Sequence, residues 1–183
     1  MNQKLNLILI ICIFLLLFGQ GCATNLRKPS GPPQPAKIKF STFQGFQMAP
    51  VTISQKFAKA EANQKASRKI NEVLSDCMHL AFPTLNEIEE TDSDVSTLLI
   101  QPNIEEIKFI GGGARFMVGA MAGSSAVLMK VTYSIKETGE VIAEPEFYRQ
   151  ANAFGGAYSM GTTDNMMLNT IAQDICTYTG ANR

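Results

Sequence analysis

The chain of 183 residues has no tryptophan, one histidine and no net charge, its 16 basic residues balancing 16 acidic ones. Each shortage closes off a class of function. A Ser-His-Asp arrangement would have to use His79, and no G-x-S-x-G elbow accompanies it. Balanced charge leaves no basic stripe, so no nucleic-acid partner is expected. The cysteines lack the third and fourth ligands of a zinc site, so no metal is expected. Glu105 and Glu106 are neighbours on a strand-like segment and point to opposite faces, so they cannot act as a carboxylate pair. No cofactor and no enzymatic activity are expected. Long apolar runs are scarce as well. The one at Leu5 to Phe18 spans about 14 residues, short of the ~20 that cross a bilayer.

That run follows Lys4 and precedes Gly19-Gln20-Gly21-Cys22, the layout of an export signal. Gly21-Cys22 after an apolar run resembles the lipobox of bacterial lipoproteins, although Gly19 stands where leucine is usual. The resemblance implies cleavage before Cys22, palmitate-type acylation of its thiol and a membrane partner reached through the lipid anchor. Two or more acyl chains meet the requirement for stable anchoring. By resemblance to the sorting rule of enterobacterial lipoproteins, in which aspartate after the cysteine retains the protein, Ala23 implies the bacterial outer membrane, on its periplasmic side. Residues 1–21 are thus read as a signal peptide and 22–36 as a lipidated cysteine and Pro-rich tether. Pro29, Pro32, Pro33 and Pro35 favour an extended spacer there. Residues 37–183 are read as a single α+β domain.

Within that domain, Ile38 to Phe43 is rich in strand formers and predicts a first strand. A loop at Gly45 to Pro50 and a short extension at Val51 to Ile53 follow. Ile70, Val73, Leu74, Cys77 and Ala81 recur at helical spacing in a helix from Gln55 to Phe82, with Ser54 as a candidate N-cap and Pro83 as the stop. His79 lies off that stripe and should face solvent. Asn86 to Asp94 is an acidic connector. Ser96 to Phe109 predicts a second long strand whose apolar parity switches between Ile104 and Ile107, which calls for a bulge. Pro102 places it at an edge or a bulge. Ser125 to Lys136 alternates cleanly, with Val127, Met129, Val131, Tyr133 and Ile135 on one face. A turn at Glu137 to Glu140 leads to a partner strand, Val141 to Ala151, interrupted by Pro145. A small-residue loop, Asn152 to Thr162, precedes a helix from Asn165 to Thr179, capped by Thr163 or Asp164 and striped by Met167, Leu168, Ile171, Ile175 and Tyr178. Gly180 is its expected stop. The expectation is an α+β fold, a small mostly antiparallel sheet with two helices packed on one face, in the order β-α-β-β-β-α.

Cys77 and Cys176 fall on these two helices. In an oxidising compartment they can bridge, or they can remain as two buried thiols. The stretch GGGARFMVGAMAGSS, from Gly111 to Ser125, carries a single charge, Arg115. It lacks the lysine of a phosphate-binding loop and the spacing of a dinucleotide fingerprint. Arg115 could clamp an anion or simply bond loop carbonyls and nearby acids. Phe116 is its companion as a candidate ligand or partner contact.

From Gly111 to Val141 the chain resembles an uncharacterised bacterial lipoprotein family, domain of unknown function 4410. The matching residues are Gly113, Arg115, the structural glycines Gly119 and Gly123, and the turn Glu137-Thr138-Gly139. Departures are Gly111-Gly112 and Ser124-Ser125. The resemblance implies an envelope lipoprotein and supplies no activity. The functional expectation is a lipid-anchored protein with a structural or protein-interaction role, through envelope partners or self-association. Alternatives are a subunit of an envelope channel or secretion assembly, and a periplasmic ligand-binding module using Arg115.

Overall fold

The computed structural model describes residues 26–85, 96–110, 124–151 and 162–183. Six strands form one sheet: β1 (Gly45–Met48), β2 (Thr52–Ile53), β3 (Thr97–Lys108), β4 (Ala126–Ile135), β5 (Val141–Ala143) and β6 (Glu146–Gln150). Among the described residues the helices are α1 (Glu61–Ala81) and α2 (Thr162–Ala181). The class is α+β, as the sequence predicts, but the sheet is mixed rather than mostly antiparallel. β1 and β2 run parallel to β3, while β4 is antiparallel to β3, β5 and β6. The reason lies in the connection. Antiparallel neighbours need only a tight turn, whereas β2 reaches β3 through α1, which carries the chain back to the starting end of the sheet.

The strand expected over Ile38 to Phe43 is instead a 3-10 turn, Phe40–Thr42, with the strand displaced to Gly45–Met48. Phe40 is the cause. It is fully buried, its ring stacked at 4.8 Å on Tyr133, and its backbone N–H goes to the Asn182 carbonyl rather than into a sheet ladder. Helix α1 begins at Glu61 rather than Gln55, and its N-cap is Ala60 rather than Ser54. Ser54 instead closes a turn, its carbonyl accepting from Phe57 N–H at 2.8 Å, and the helix starts where Asn63, Ala66, Ser67 and Ile70 begin to turn inward. At the other end α2 runs through Gly180, which therefore does not stop it. The expected strand Val141 to Ala151 is divided by Glu144 and Pro145 into β5 and β6. The Pro145 carbonyl still accepts from the Val131 N–H at 3.1 Å.

Pro102 occupies the middle of β3, between β1 and β2 on one side and β4 on the other, and not an edge. Ala49 N–H donates to the Ile100 carbonyl and Ser54 N–H to that of Ile104, each at 2.9 Å. The backbone of Pro102, between them, faces the same side. Its missing N–H thus falls at the gap between β1 and β2, where no ladder bond is needed. That gap is fastened to α1, because Val51 N–H donates to Asn71 Oδ1 and Ser67 Oγ donates to the Val51 carbonyl, each at 3.0 Å. The predicted bulge is present, with the β3–β4 register shifting between Ile104 and Glu106. It keeps Ile107, opposite Val127, on the same face as Ile104, opposite Met129.

Leu98, Ile100, Ile104, Ile107, Val127, Met129, Val131 and Tyr133 form the sheet's side of the core. Ile70, Leu74 and Met78 of α1 and Met167, Leu168, Ile171 and Ile175 of α2 form the helical side. Tyr133 sits at its centre. Its hydroxyl lies 2.7 Å from Thr179 Oγ1, which itself donates to the Ile175 carbonyl at 2.8 Å. With that donor used, Tyr133 must be the one that donates to Thr179. Burial pushes the Tyr133 pKa up, opposed in part by this bond. The folded state therefore holds the proton more tightly than the unfolded chain. The stabilisation is complete below the ordinary tyrosine pKa of about 10 and drains away as pH rises above it. Burial also raises Tyr148 and Tyr178. Circular dichroism across an alkaline series should show unfolding set in above about pH 10, and Tyr133→Phe should move that onset upward. At neutral pH the same variant should lose about 1 kcal/mol with its hydrogen bond.

Candidate functional site

Among the described residues, the feature that gathers function-bearing groups is the sheet face turned away from the helices, together with the segment that crosses it. Residues 26–36 do not stand off as a spacer. Leu26 is buried, although it lies outside the domain boundary the sequence suggests. The Arg27 backbone N–H donates to Glu106 Oε2 at 3.1 Å, beside the β3 bulge. Its guanidinium pairs bidentately with Glu146 at 2.5 and 2.7 Å. That hydrogen bond is the main influence raising the Arg27 pKa and lowering that of Glu146. Lys28 Nζ sits 5.5 Å above the Tyr148 ring.

The chain then rounds the β6 side of the sheet. The Tyr178 hydroxyl donates to the Gln34 carbonyl, and Ala36 N–H donates to Asn182 Oδ1, each at 2.8 Å. Lys37 N–H donates to the Ile142 carbonyl of β5 at 3.1 Å. Proline explains why such a segment can be held by few bonds. Four prolines remove donors and much of the unfolded chain's freedom, so little order has to be imposed on docking. A cavity of about 580 Å³ lies beneath this strap, lined by Pro29, Pro33, Phe147, Tyr148 and Tyr178 among others.

β6 is the neighbouring edge. Val131 N–H bonds to Pro145 and Ala151 N–H to the Ser125 carbonyl, so odd-numbered residues of β6 face β4. The backbone groups of Glu146, Tyr148 and Gln150 therefore point outward and have no backbone partner among the described residues. Ser125 gathers the chain at this end of the sheet, since its Oγ accepts from Ile110 N–H at 3.0 Å while its carbonyl takes Ala151.

Of the residues singled out from sequence, Cys77 and Cys176 are brought together as a disulfide across α1 and α2, with Cα atoms 6.3 Å apart. Gly139 adopts φ 72°, the left-handed value that suits glycine in the β4–β5 turn. Glu137, beside it, accepts the Thr97 N–H at 3.1 and 3.2 Å. Desolvation works against its charge, but bonds from its own backbone and from Thr97 prevail and lower its pKa. His79 is exposed on α1, as its wheel position predicts. Cys22, Gly113, Arg115, Phe116, Gly119 and Gly123 lie outside the described residues, as do the acidic connector and the second small-residue loop. The described residues contain no group of three or more His, Cys, Asp or Glu side chains arranged to hold a metal ion, and no helix among them is long and apolar enough to cross a membrane. Sequence reasoning missed Leu26, Arg27 and Glu146. The available signal was an apolar residue and an arginine placed directly ahead of a proline run.

No family model and no curated protein matches the chain. Solved structures do resemble it. The PelC dodecamer from Paraburkholderia phytofirmans aligns with TM-score 0.44 at 9% identity, over 78% of this chain and 91% of that one. A protein from Xanthomonas campestris, described under domain of unknown function 330, aligns with TM-score 0.45 at 6% identity, over 82% and 94%. A minor lipoprotein from Acinetobacter baumannii aligns with TM-score 0.41 at 12% identity, over 78% and 96%.

Proposed function

We propose that this chain is a lipid-anchored protein of the bacterial outer membrane, on its periplasmic side, with a structural or protein-interaction role and no catalysis of its own. The observation that carries the reading is Gly21-Cys22 at the end of a charged-then-apolar leader. The Cys77–Cys176 bond supports it, because disulfides persist in oxidising compartments outside the cytosol. The resemblance of Gly111 to Val141 to domain of unknown function 4410 agrees with it. Radioactive palmitate fed to the producing cells should label the protein, and Cys22→Ser should abolish the label and leave the leader uncleaved. Retention of label in that variant would overturn the assignment.

The outward-facing backbone of Gln150, past the part of β6 that the strap rounds, favours a second reading, a subunit of an envelope assembly. Outward-facing backbone groups on an edge strand are a template for pairing with another chain. Size measurement on detergent-extracted protein decides it. A discrete large species supports the assembly, and a clean monomer rules it out.

A further inference from the structure

We infer that the strap turns the lipid anchor into an orienting device, with the bilayer itself as the partner of the sheet's outer face at the end that bears Lys108, Ala126 and Gln150. The inference rests on the lipidation of Cys22 proposed above. A tether of residues 22–36 free of the domain would reach a few tens of ångströms at ~3.1 Å per residue. The strap removes most of that reach. Arg27 is fixed to Glu106 and Glu146, Tyr178 holds Gln34, and Asn182 holds Ala36. Only the four peptide links from Cys22 to Leu26 remain, and fully extended they span roughly 14 Å.

Where that short lead attaches decides which surface meets lipid. Leu26 is buried next to Arg27, and Arg27 lies over the outer sheet face. Glu106, its backbone partner, stands opposite Leu128 of β4, and Leu128 stands opposite Tyr148 of β6. These positions fall in the half of β4 that begins at Ala126, where Lys108 and Gln150 are its partners. Leu128 is two residues from the Ala126 end, whereas the hairpin at the far end of β4 begins seven residues beyond it, roughly 23 Å away. Charge around the strap's attachment is mixed, since the exposed Arg27 and Lys28 stand beside the half-buried Glu105, Glu106 and Glu146. Affinity therefore comes from the acyl chains, and the strap supplies direction. The outward edge of β6, including Gln150, is carried close to the headgroups, while the hairpin after β4 points into the aqueous space.

The test uses the full lipidated protein in phosphatidylethanolamine–phosphatidylglycerol vesicles carrying headgroup nitroxides. A fluorophore is attached through Gln150→Cys at the near end or Lys136→Cys at the far end, both exposed positions. The near label should be quenched several-fold more than the far one. A flexible Gly-Ser insertion of ten or more residues between Asn25 and Leu26 leaves the strap's seat intact and should bring the near label down to the far label's level. Equal quenching at both sites in protein that floats with the vesicles overturns the inference and leaves the anchor standing. Protein that does not float overturns the lipidation reading and this inference with it. Near-end quenching that survives the insertion overturns the role of the strap, because the face would then bind lipid by itself.

Discussion

Replacing Cys77 and Cys176 with serine should lower the stability of the folded domain by about 4–5 kcal/mol, the largest effect expected of any change described here. The bond joins residues 99 apart in sequence, and the loss of unfolded-chain entropy in a loop of about 100 residues is worth roughly 4.7 kcal/mol. For a domain of this size that corresponds to a fall in melting temperature of about 10 °C or more. Packing sharpens the effect. α1 and α2 each bury one stripe in the same core, and Cys77 and Cys176 are half-buried at their junction. The pair of serines would place two hydroxyls at that apolar seam. A reduced wild-type sample separates the two causes, because it loses the cross-link while keeping sulfur in place. Urea unfolding with and without reductant is the measurement, and equal midpoints would show that the cross-link contributes nothing.

Phe40→Ala should cost about 3–5 kcal/mol, the range for removing a buried aromatic side chain. Phe40 is fully buried, stacked on Tyr133 and edge-on to Tyr178 with centroids 6.5 Å apart. Its backbone N–H donates to the Asn182 carbonyl at 2.7 Å. The ring thus fastens the segment before β1 to both the sheet and the last turn of α2. Beyond the change in the urea midpoint, hydrogen exchange should rise selectively at Ala36, Lys37 and Phe40, whose amides bond to Asn182 and Ile142. Uniform acceleration across the domain would show that Phe40 supports the whole core rather than this attachment.

The sequence was most readable where one periodicity ruled. β4 alternates over ten residues, and Val127, Met129, Val131 and Tyr133 are buried as that alternation requires. The stripe of α2 from Met167 to Tyr178 is likewise inward. The parity switch in β3 revealed its bulge, because a side chain on the wrong face is costly enough to force an extra residue into the strand. The parallel pairing of β1 and β2 was not legible. Four residues and two residues carry too little pattern to declare a direction, which is set instead by the long return through α1. Phe40 misled for a related reason, since a run of strand formers says nothing of one ring's need to reach a distant tyrosine. The strap was hidden by composition. A proline-rich stretch reads the same whether free or docked, and its docking depends on Glu106, Glu146, Tyr178 and Asn182, all distant in sequence. The Cys77–Cys176 pair was visible as an option and needed the adjacency of the helices to become a bond.

The strap and the disulfide share one requirement. Tyr178 and Asn182, which hold Gln34 and Ala36, and Cys176, which holds Cys77, all belong to α2 or directly follow it, and α2 is synthesised after every strand. A chain threaded through a membrane from its leading end delivers the strap first and its seat last. The earlier parts must wait unclosed through the whole passage, and the arrival of α2 then completes the core, the cross-link and the strap's seat together. For a chain exported as proposed above, this order would suit passage in an open state, with closure deferred until transit is complete.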